Sequence, residues 1–402
     1  MKILMVAPQP FFEARGTPIS VLGRLRALST LGHQIDLVTY HIGQDVAIPG
    51  VAIFRTLRIP FMKQVPIGPS LRKVFLDCFV LLKTMRMLIT KKYDLIHTHE
   101  EACFFGYVLA KWFGIPHVYD MHSSLPQQLR NFEYAKYSLL IRVFQWLEQK
   151  VINSSQAVIT ICPALRDHVQ RINAGVPQIL IENVPTEGNP DDVTAEESRN
   201  FTATYSLEGK IIVLYAGTFE PYQGLNLLIS SAERVIRKIP NVVFVLMGGN
   251  PKQFEVYQNQ VADIGLLSNF RFTGMRPTHE IPKAIRSCNV LVSPRISGTN
   301  TPLKIYGYLQ SGKPIVATNL YTHTQVLNSE VAMLVDPNPQ TFAEGICAVL
   351  ESTGLASSLG EHARKMFDQQ YSFQTFLDLT DQVIQFARSV DSQHQALPTL
   401  QV

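Results

Sequence analysis

The sequence predicts an α/β protein of two parallel-sheet domains in tandem, and three observations carry that expectation. Its 402 residues exceed what one hydrophobic core of ordinary size organises. Short apolar runs alternate with helix-period segments from end to end, the pattern of parallel sheets covered by helices on both faces. The series halts at VPTEGNPDDVTAEESRN, which is polar, acidic and proline-containing, and restarts at KIIVLYAGT. Residues 1–185 are therefore expected to form an amino-terminal domain, 186–209 a linker and 210–375 a carboxyl-terminal domain. A helix over 376–390 is expected to cross back to the first domain, and 391–402, which lack helical periodicity, to fray.

Taken in order, the apolar runs place strands at Lys2–Ala7, Gln34–Tyr40, Val51–Leu57, Tyr93–His97, His117–Tyr119, Ala157–Ile161 and Gln178–Ile181. After the break they place strands at Ile211–Ala216, Val242–Met247, Phe270–Thr273, Val290–Ser293, Pro314–Ala317 and Ala332–Val335. Neither half shows a short-period repeat.

Composition narrows the class. An apolar content of 46% and a charged content of 17% describe a well-buried globular chain. The opening ILMVAP is too short, and too soon broken by proline, for a signal peptide, and reads as a first strand. Cys78, Cys103, Cys162, Cys288 and Cys347 are odd in number and contain no CxxC pair, so neither a disulfide framework nor a zinc site is indicated, and a reducing, cytoplasmic setting is expected.

The net charge of +4 conceals an asymmetry, because residues 1–185 carry 20 Lys+Arg against 12 Asp+Glu and the remainder 16 against 20. Between Arg55 and Lys92 nine basic residues face only Asp77. No nucleic-acid motif accompanies this excess, and nucleic acid is not an expected partner. The segment SLRKVFLDCFVLLKTMRMLIT reads as a helix too charged to span a bilayer. It suits a helix lying on an anionic membrane face, and equally a core helix whose basic stripe is wetted.

Several strand ends carry polar chemistry. In APQPFFEARGTPIS, Gly16 and Thr17 stand between the first strand and a helix, where the backbone can approach a phosphate or simply turn. At YDLIHTHEE, His97 and His99 share one strand face, but no further ligand follows at metal-site spacing and no metal is expected. Glu100 and Glu101 then reach the carboxyl edge, as acceptor-binding groups or as a solvated rim. In PHVYDMHSSLPQQL, Asp120 and His122 end a buried strand, where a histidine can bond a sugar hydroxyl, carry a proton or pack as a cap.

The second half concentrates its signal between Asn289 and Thr318, in NVLVSPRISGTNTPLKIYGYLQSGKPIVAT. Two buried strands flank a helix expected to start with Thr301 as N-cap and Pro302 at the first helical position, and to stop at Gly312. The free amides and positive dipole of that helix start, with Lys304 in its first turn, suit a phosphate or diphosphate. An ordinary strand, helix and strand with a solvated lysine is the alternative. GTFEPYQG, after the Ile211–Ala216 strand, is a second strand-to-helix loop, flanked by Gly217 and Gly224.

These stretches resemble the family 4 glycosyltransferases of the GT-B fold, whose donor loop leads into a helix and then a GxPVVAT-like strand, here SGKPIVAT. The likeness extends to YAGTFEPYQGLNLLISSAERV, VVFVLMGGNP and the opening LMVAPQPFFEARGTPISVLGRLRALSTLGHQIDLVTY. It implies two Rossmann-like domains facing across a cleft, and transfer of a hexosyl-type group from a nucleoside-diphosphate sugar to a hydroxyl of a surface or lipid-linked glycan, with no cofactor and no metal, and with retention of configuration. It implies donor contacts from Gly16 and Thr17 in the first domain, and from Gly217, Thr218, Gln223, Gly248 and Arg276 in the second. Arg295, Thr299, Thr301, Leu303 and Lys304 are implied as further donor contacts. His122, Asp120 and Lys304 are the implied catalytic set, with Glu100 and Glu101 toward the acceptor.

The chain departs from the family at four positions. Thr218 and Gln223 stand where relatives carry an arginine and a lysine for the donor diphosphate, leaving Lys304 and Arg295 to compensate. Thr299 and Gly307 stand where relatives carry two glutamates eight positions apart. A non-catalytic sugar-nucleotide-binding protein is therefore the alternative to a transferase. A sugar-nucleotide epimerase is a third reading, against which the missing carboxylates count.

Overall fold

The computed structural model describes residues 1–13, 16–60, 62, 64–65, 70–131, 138–185 and 188–389. The tail expected over 391–402 lies outside the described residues. The chain forms two compact units, one of residues 1–183 with the closing segment from Phe373, the other Val184–Ser372.

The first unit opens with β1 (Lys2–Val6), α1 (Gly16–Thr30), β2 (Gln34–Thr39), β3 (Val51–Arg55), α2 (Leu71–Thr90), β4 (Leu95–His99) and α3 (Cys103–Phe113). It continues through β5 (His117–Met121), α4 (Leu125–Asn131), α5 (Ser138–Ser154), β6 (Ala157–Thr160), α6 (Pro163–Ile172) and β7 (Gln178–Leu180). The strands make one parallel sheet in the order β3-β2-β1-β4-β5-β6-β7. Right-handed crossovers put α2, α3 and α5, which all step toward β7, on one face, and α1, which steps the other way, on the opposite face. Ser70 caps α2 by accepting from the Lys73 amide, and Leu76, Val80 and Met87 bury its inner face.

The second unit holds α7 (Ala195–Thr204), β8 (Ile211–Ala216), α8 (Leu225–Lys238), β9 (Val242–Met247), α9 (Pro251–Asp263), β10 (Phe270–Gly274), α10 (Ile281–Ser287) and β11 (Val290–Ser293). It ends with α11 (Lys304–Ser311), β12 (Ile315–Thr318), α12 (Tyr321–Thr324), β13 (Met333–Val335), α13 (Pro339–Glu351) and α14 (Thr353–Met366). Its parallel sheet runs β10-β9-β8-β11-β12-β13, with Val213, Phe244 and Val292 buried on one face and Leu214, Val245 and Leu291 on the other. After this unit the closing helix α15 (Phe373–Ser389) returns to the first, where it packs on α1 and β6.

Both sheets reverse strand order once, between β1 and β4 in the first and between β8 and β11 in the second. In open parallel sheets ligands gather at the carboxyl ends of the strands beside such a reversal. The loops that follow β1, β4, β8 and β11 are therefore the ones that matter.

Two local expectations are corrected. The stretch expected as linker contains α7, whose start is fixed by a capping box between Thr194 and Glu197 and whose Phe201 is buried in the core of the second unit. The helix expected to be capped by Thr301 begins at Lys304 with no side-chain cap. The Pro302 carbonyl accepts from the Ile305 amide at 3.0 Å, so the chain turns once before the helix forms. Gly312 ends α11 in the left-handed conformation, as its sequence position requires.

Candidate active site

Strand alternation and register assemble a candidate site in the first unit. His97 and His99 lie two apart on β4, Asp120 pairs with His99 across the β4–β5 ladder, and His122 is two residues past Asp120. All four point to the face covered by α1 and α15. Arg24 comes down from α1, only 2% exposed, and its Nε donates to Asp120 Oδ2 at 3.0 Å. His97 Nε2 lies 3.3 Å from the same oxygen, and His122 Nε2 lies 3.4 Å from Oδ1. The His99 and His122 rings share a hydrogen bond, Nδ1 to Nε2, of 2.9 Å.

Burial sets the charges here. Burial alone would raise the Asp120 carboxyl, but Arg24, His122 and His97 together hold it well below the ordinary carboxylate value. Burial lowers His97, with Asp120 opposing, and lowers His99 further. An arginine–aspartate ion pair beside neutral His97 and His99 rings results.

The sequence showed no third metal ligand for His97 and His99, and the register supplies one: ligand atoms of His97, His99 and Asp120 lie within 4.8 Å of one another. The geometry suits hydrogen bonding better than coordination. The His97 and His99 rings are stacked 4.9 Å apart and 17° from parallel, so a single ion would not lie along the in-plane lone pairs of both. The guanidinium of Arg24 already occupies the Asp120 oxygen nearest them.

At the edge of the same sheet, Thr17 Oγ1 donates to Glu100 Oε1 at 2.8 Å, tying the loop after β1 to the end of β4. Glu101 turns instead toward α2, 3.7 Å from Lys73, and its carboxyl is raised by burial and by Glu100. Asp77, accepting from Tyr40 Oη at 2.6 Å, is raised by burial and then by Glu101 to about 7.

A candidate site in the second unit is built on close backbone approach. A side chain at Gly224 would place its Cβ 1.9 Å from the Pro294 carbonyl, so glycine there lets the loop after β8 lie against the loop after β11. A Cβ at Gly217 would stand 2.8 Å from Lys304 Nζ. Into that space the Lys304 ammonium reaches, 3.7 Å above the Tyr215 ring and 3.3 Å from Gln223 Oε1. Gln223 in turn donates to Thr218 Oγ1 at 3.4 Å. Burial, then the charge of Arg295, lowers the Lys304 amine well below its ordinary value.

Arg295 shapes its own loop, donating to the carbonyls of Ser297 and Asn300 at 2.9 Å each, with its guanidinium 5.0 Å from the Tyr222 ring. Beneath that loop His323 is fully buried between Ser293 and Thr318, 2.8 Å from the Ser293 hydroxyl, and burial depresses it to about 4. Thr301 is buried with no partner for its hydroxyl, Leu303 immediately precedes α11, and the Thr299 carbonyl accepts from Gln325. The amides of Leu303 and Lys304 come before the first helical bond, as acceptor-seeking donors at a helix start.

Thr218, Gln223, Gly217 and Lys304 are thus brought together, and Gly248 packs on the Gly217 carbonyl. Arg276 is held elsewhere, its guanidinium over the Tyr205 ring at 5.6 Å. Sequence reasoning missed Arg24, Tyr215 and His323. A buried arginine inside an amphipathic helix and a histidine in YTHT carry no local mark of their partners.

The fold and these two candidate sites define an α/β protein of two switch-point sheets with a phosphate-suited helix start in the second. Residues 14–186 match Glycosyltransferase Family 4, and residues 197–366 match Glycosyl transferases group 1. The chain belongs to this glycosyltransferase family and has the GT-B fold. Phosphatidyl-myo-inositol mannosyltransferase of Mycobacterium tuberculosis is 22% identical over 361 residues, 88% of each chain. Alpha-D-kanosaminyltransferase of Streptomyces kanamyceticus is 22% identical over 290 residues, 69% of this chain and 73% of that one. Among solved structures, HepE of Anabaena in complex with UDP superposes with a TM-score of 0.74 at 17% identity, covering 96% of this chain and 100% of that one.

Proposed function

We propose that this glycosyltransferase takes its sugar from a nucleoside-diphosphate donor and passes it to a hydroxyl of a lipid-linked or surface-glycan acceptor. The observation that carries the donor class is Lys304: an amine with no carboxylate partner among the described residues, beside amides that precede the first helical bond, suits a dianionic group. In this reading the second unit holds the leaving diphosphate with Lys304 and the Leu303 and Lys304 amides, so fixed charge and positioning supply the stabilisation a metal ion gives elsewhere. The first unit contributes His122, oriented by Asp120, as the group nearest the reacting sugar, and Glu100 toward the acceptor. The anomeric configuration is retained.

A lipid-linked acceptor is supported by the outer face of α2, α3 and α5. Both tryptophans of the chain are exposed there, Trp112 at 74% and Trp146 at 55%, with Leu71, Phe75, Ile89 and Leu139. Arg72, Arg86, Lys111, Arg142 and Lys150 are exposed on the same helices. The carboxylates of these helices, Asp77 and Glu148, are turned inward to Tyr40 and His168. A basic, aromatic-rich surface without exposed acid suits an anionic bilayer interface. Among the described residues no helix is long and apolar enough to cross a membrane.

The test is release of free nucleoside diphosphate from a panel of nucleotide sugars with and without glycan and lipid-linked acceptors. Acceptor-dependent release is expected, with the product anomer read by NMR. Tight nucleotide binding with no transfer to any acceptor would favour the non-catalytic reading, as Thr218, Gln223, Thr299 and Gly307 allow. Sedimentation with anionic but not neutral liposomes, lost at high salt, tests the membrane face.

A further inference from the structure

We propose that Arg24 is a positioning residue for His122, and that the closing helix α15 sets Arg24 through Thr380. The proposal rests on the reading of His122 as the group nearest the reacting sugar. Arg24 is buried in an otherwise apolar stretch of α1, a location that costs several kcal/mol unless each guanidinium face and edge is met. Two elements, β5 and α15, meet the guanidinium. Nε donates to Asp120 on β5 at 3.0 Å, Nη1 donates to Thr380 Oγ1 on α15 at 2.6 Å, and the guanidinium plane lies 4.6 Å from the Phe376 ring.

Thr380 is itself locked. Its hydroxyl donates to the Phe376 carbonyl at 2.7 Å, which leaves its lone pairs turned to Arg24. The chain of contacts therefore runs from α15 through Thr380 and Arg24 to Asp120, and from Asp120 to the His97, His99 and His122 rings. Asp120 can orient three imidazoles only if its own rotamer is fixed, and Arg24 is the one cation bonded to it among the described residues. A planar fork is suited to two partners along different edges, whereas the three donors of an ammonium radiate from a single nitrogen. Arg24 bonds to Asp120, so its effect on His122 passes through that carboxylate.

The experiment compares Thr380→Val, Thr380→Ser, Arg24→Lys and the Arg24→Lys/Thr380→Val double variant of the full chain. Thr380→Val is nearly isosteric and is expected to lower kcat roughly tenfold, since a 1 Å misplacement at a reacting centre costs up to about 10²-fold. Donor KM should stay near the parent value, Tm should fall because the buried Nη1 loses its acceptor, and Thr380→Ser should restore both kcat and Tm. Arg24→Lys is expected to lose at least as much, and the double variant no more than Arg24→Lys alone, because both act along one path. Parent-like kcat in Thr380→Val, additive losses in the double variant, or a kcat loss that is not restored by serine would each overturn the proposal. The ¹⁵N resonances of the imidazoles give a readout independent of turnover. They should shift in Thr380→Val and return in Thr380→Ser, and an unchanged pattern would refute the positioning role even if no acceptor is ever found.

Discussion

Replacing Lys304 by methionine should separate binding from stability in opposite directions. The lysine lies over Tyr215 and against Gln223 with no carboxylate beside it, and burial with the Arg295 charge depresses its amine. In the absence of ligand the protein therefore carries a buried amine that burial and Arg295 disfavour in its charged form, and methionine keeps the apolar stem while removing it. The Tm of free Lys304→Met should equal or exceed that of the parent. Nucleotide binding should weaken by about 1.5–3 kcal/mol, the range for a charge-assisted hydrogen bond, which corresponds to roughly 10- to 150-fold in Kd. The pH dependence follows from the sign of the shift. A lysine depressed on folding binds fewer protons than in the unfolded chain, so parent stability should rise with pH between the folded and unfolded values of its pKa. A bound diphosphate raises the amine again and flattens that slope. Titration calorimetry with UDP, GDP and ADP in parallel, beside thermal melts from pH 6 to 10, reads all of this. Unchanged nucleotide affinity in Lys304→Met, or a large fall in its ligand-free Tm, would refute the assignment.

His122→Ala should reduce kcat by about 10²-fold or more with little change in nucleotide affinity, as positioned proton-transfer groups contribute; turnover at the parent rate would remove His122 from the chemistry. Gln223→Lys sets a second ammonium beside Lys304, where Gln223 Oε1 now stands 3.3 Å away, and should lower the ligand-free Tm while enlarging the Tm gain on adding nucleoside diphosphate. A variant as stable as the parent without ligand would count against the packed position of Lys304. Asp77, raised to about 7 by burial and Glu101, holds a proton in the folded chain that the unfolded chain has already released, so it makes stability fall as pH climbs from about 4 to 7. Asp77→Asn should flatten that part of the stability profile, and an unaltered slope in denaturant titrations would contradict it.

The architecture was largely legible because buried parallel strands are short apolar runs between turn residues, a signal that needs no knowledge of partners. Each expected strand is present in the structure, with ends displaced by a residue or two, most at β4, where HTH continues the strand past the apolar run. Helix α2 begins and ends as expected because Ser70 is a strong local cap. The misplaced start of α11 has an equally local cause. Thr301 and Pro302 have the composition of a cap, but Thr301 is buried beneath the Arg295 loop, and the single turn from Pro302 takes up the first bonds.

The site was legible only as strand ends. Asp120 and His122 could be singled out because they follow a buried strand, whereas Arg24 and Thr380 are separated from their partners by 96 and 356 positions and look, in sequence, like members of amphipathic helices. The departures at Thr218 and Gln223 become coherent in three dimensions. A lysine reaching from α11 fills the space above Tyr215, and Gly217 leaves that space open. A cation at position 223 would face that ammonium at hydrogen-bond distance, while glutamine offers it an oxygen. In the proposed reading the diphosphate charge expected on the loop after β8 is supplied from the helix after β11, by Lys304 beside the Leu303 and Lys304 amides. On that reading the loss of two basic residues does not require a vacant donor site, because the cation comes from a different part of the chain.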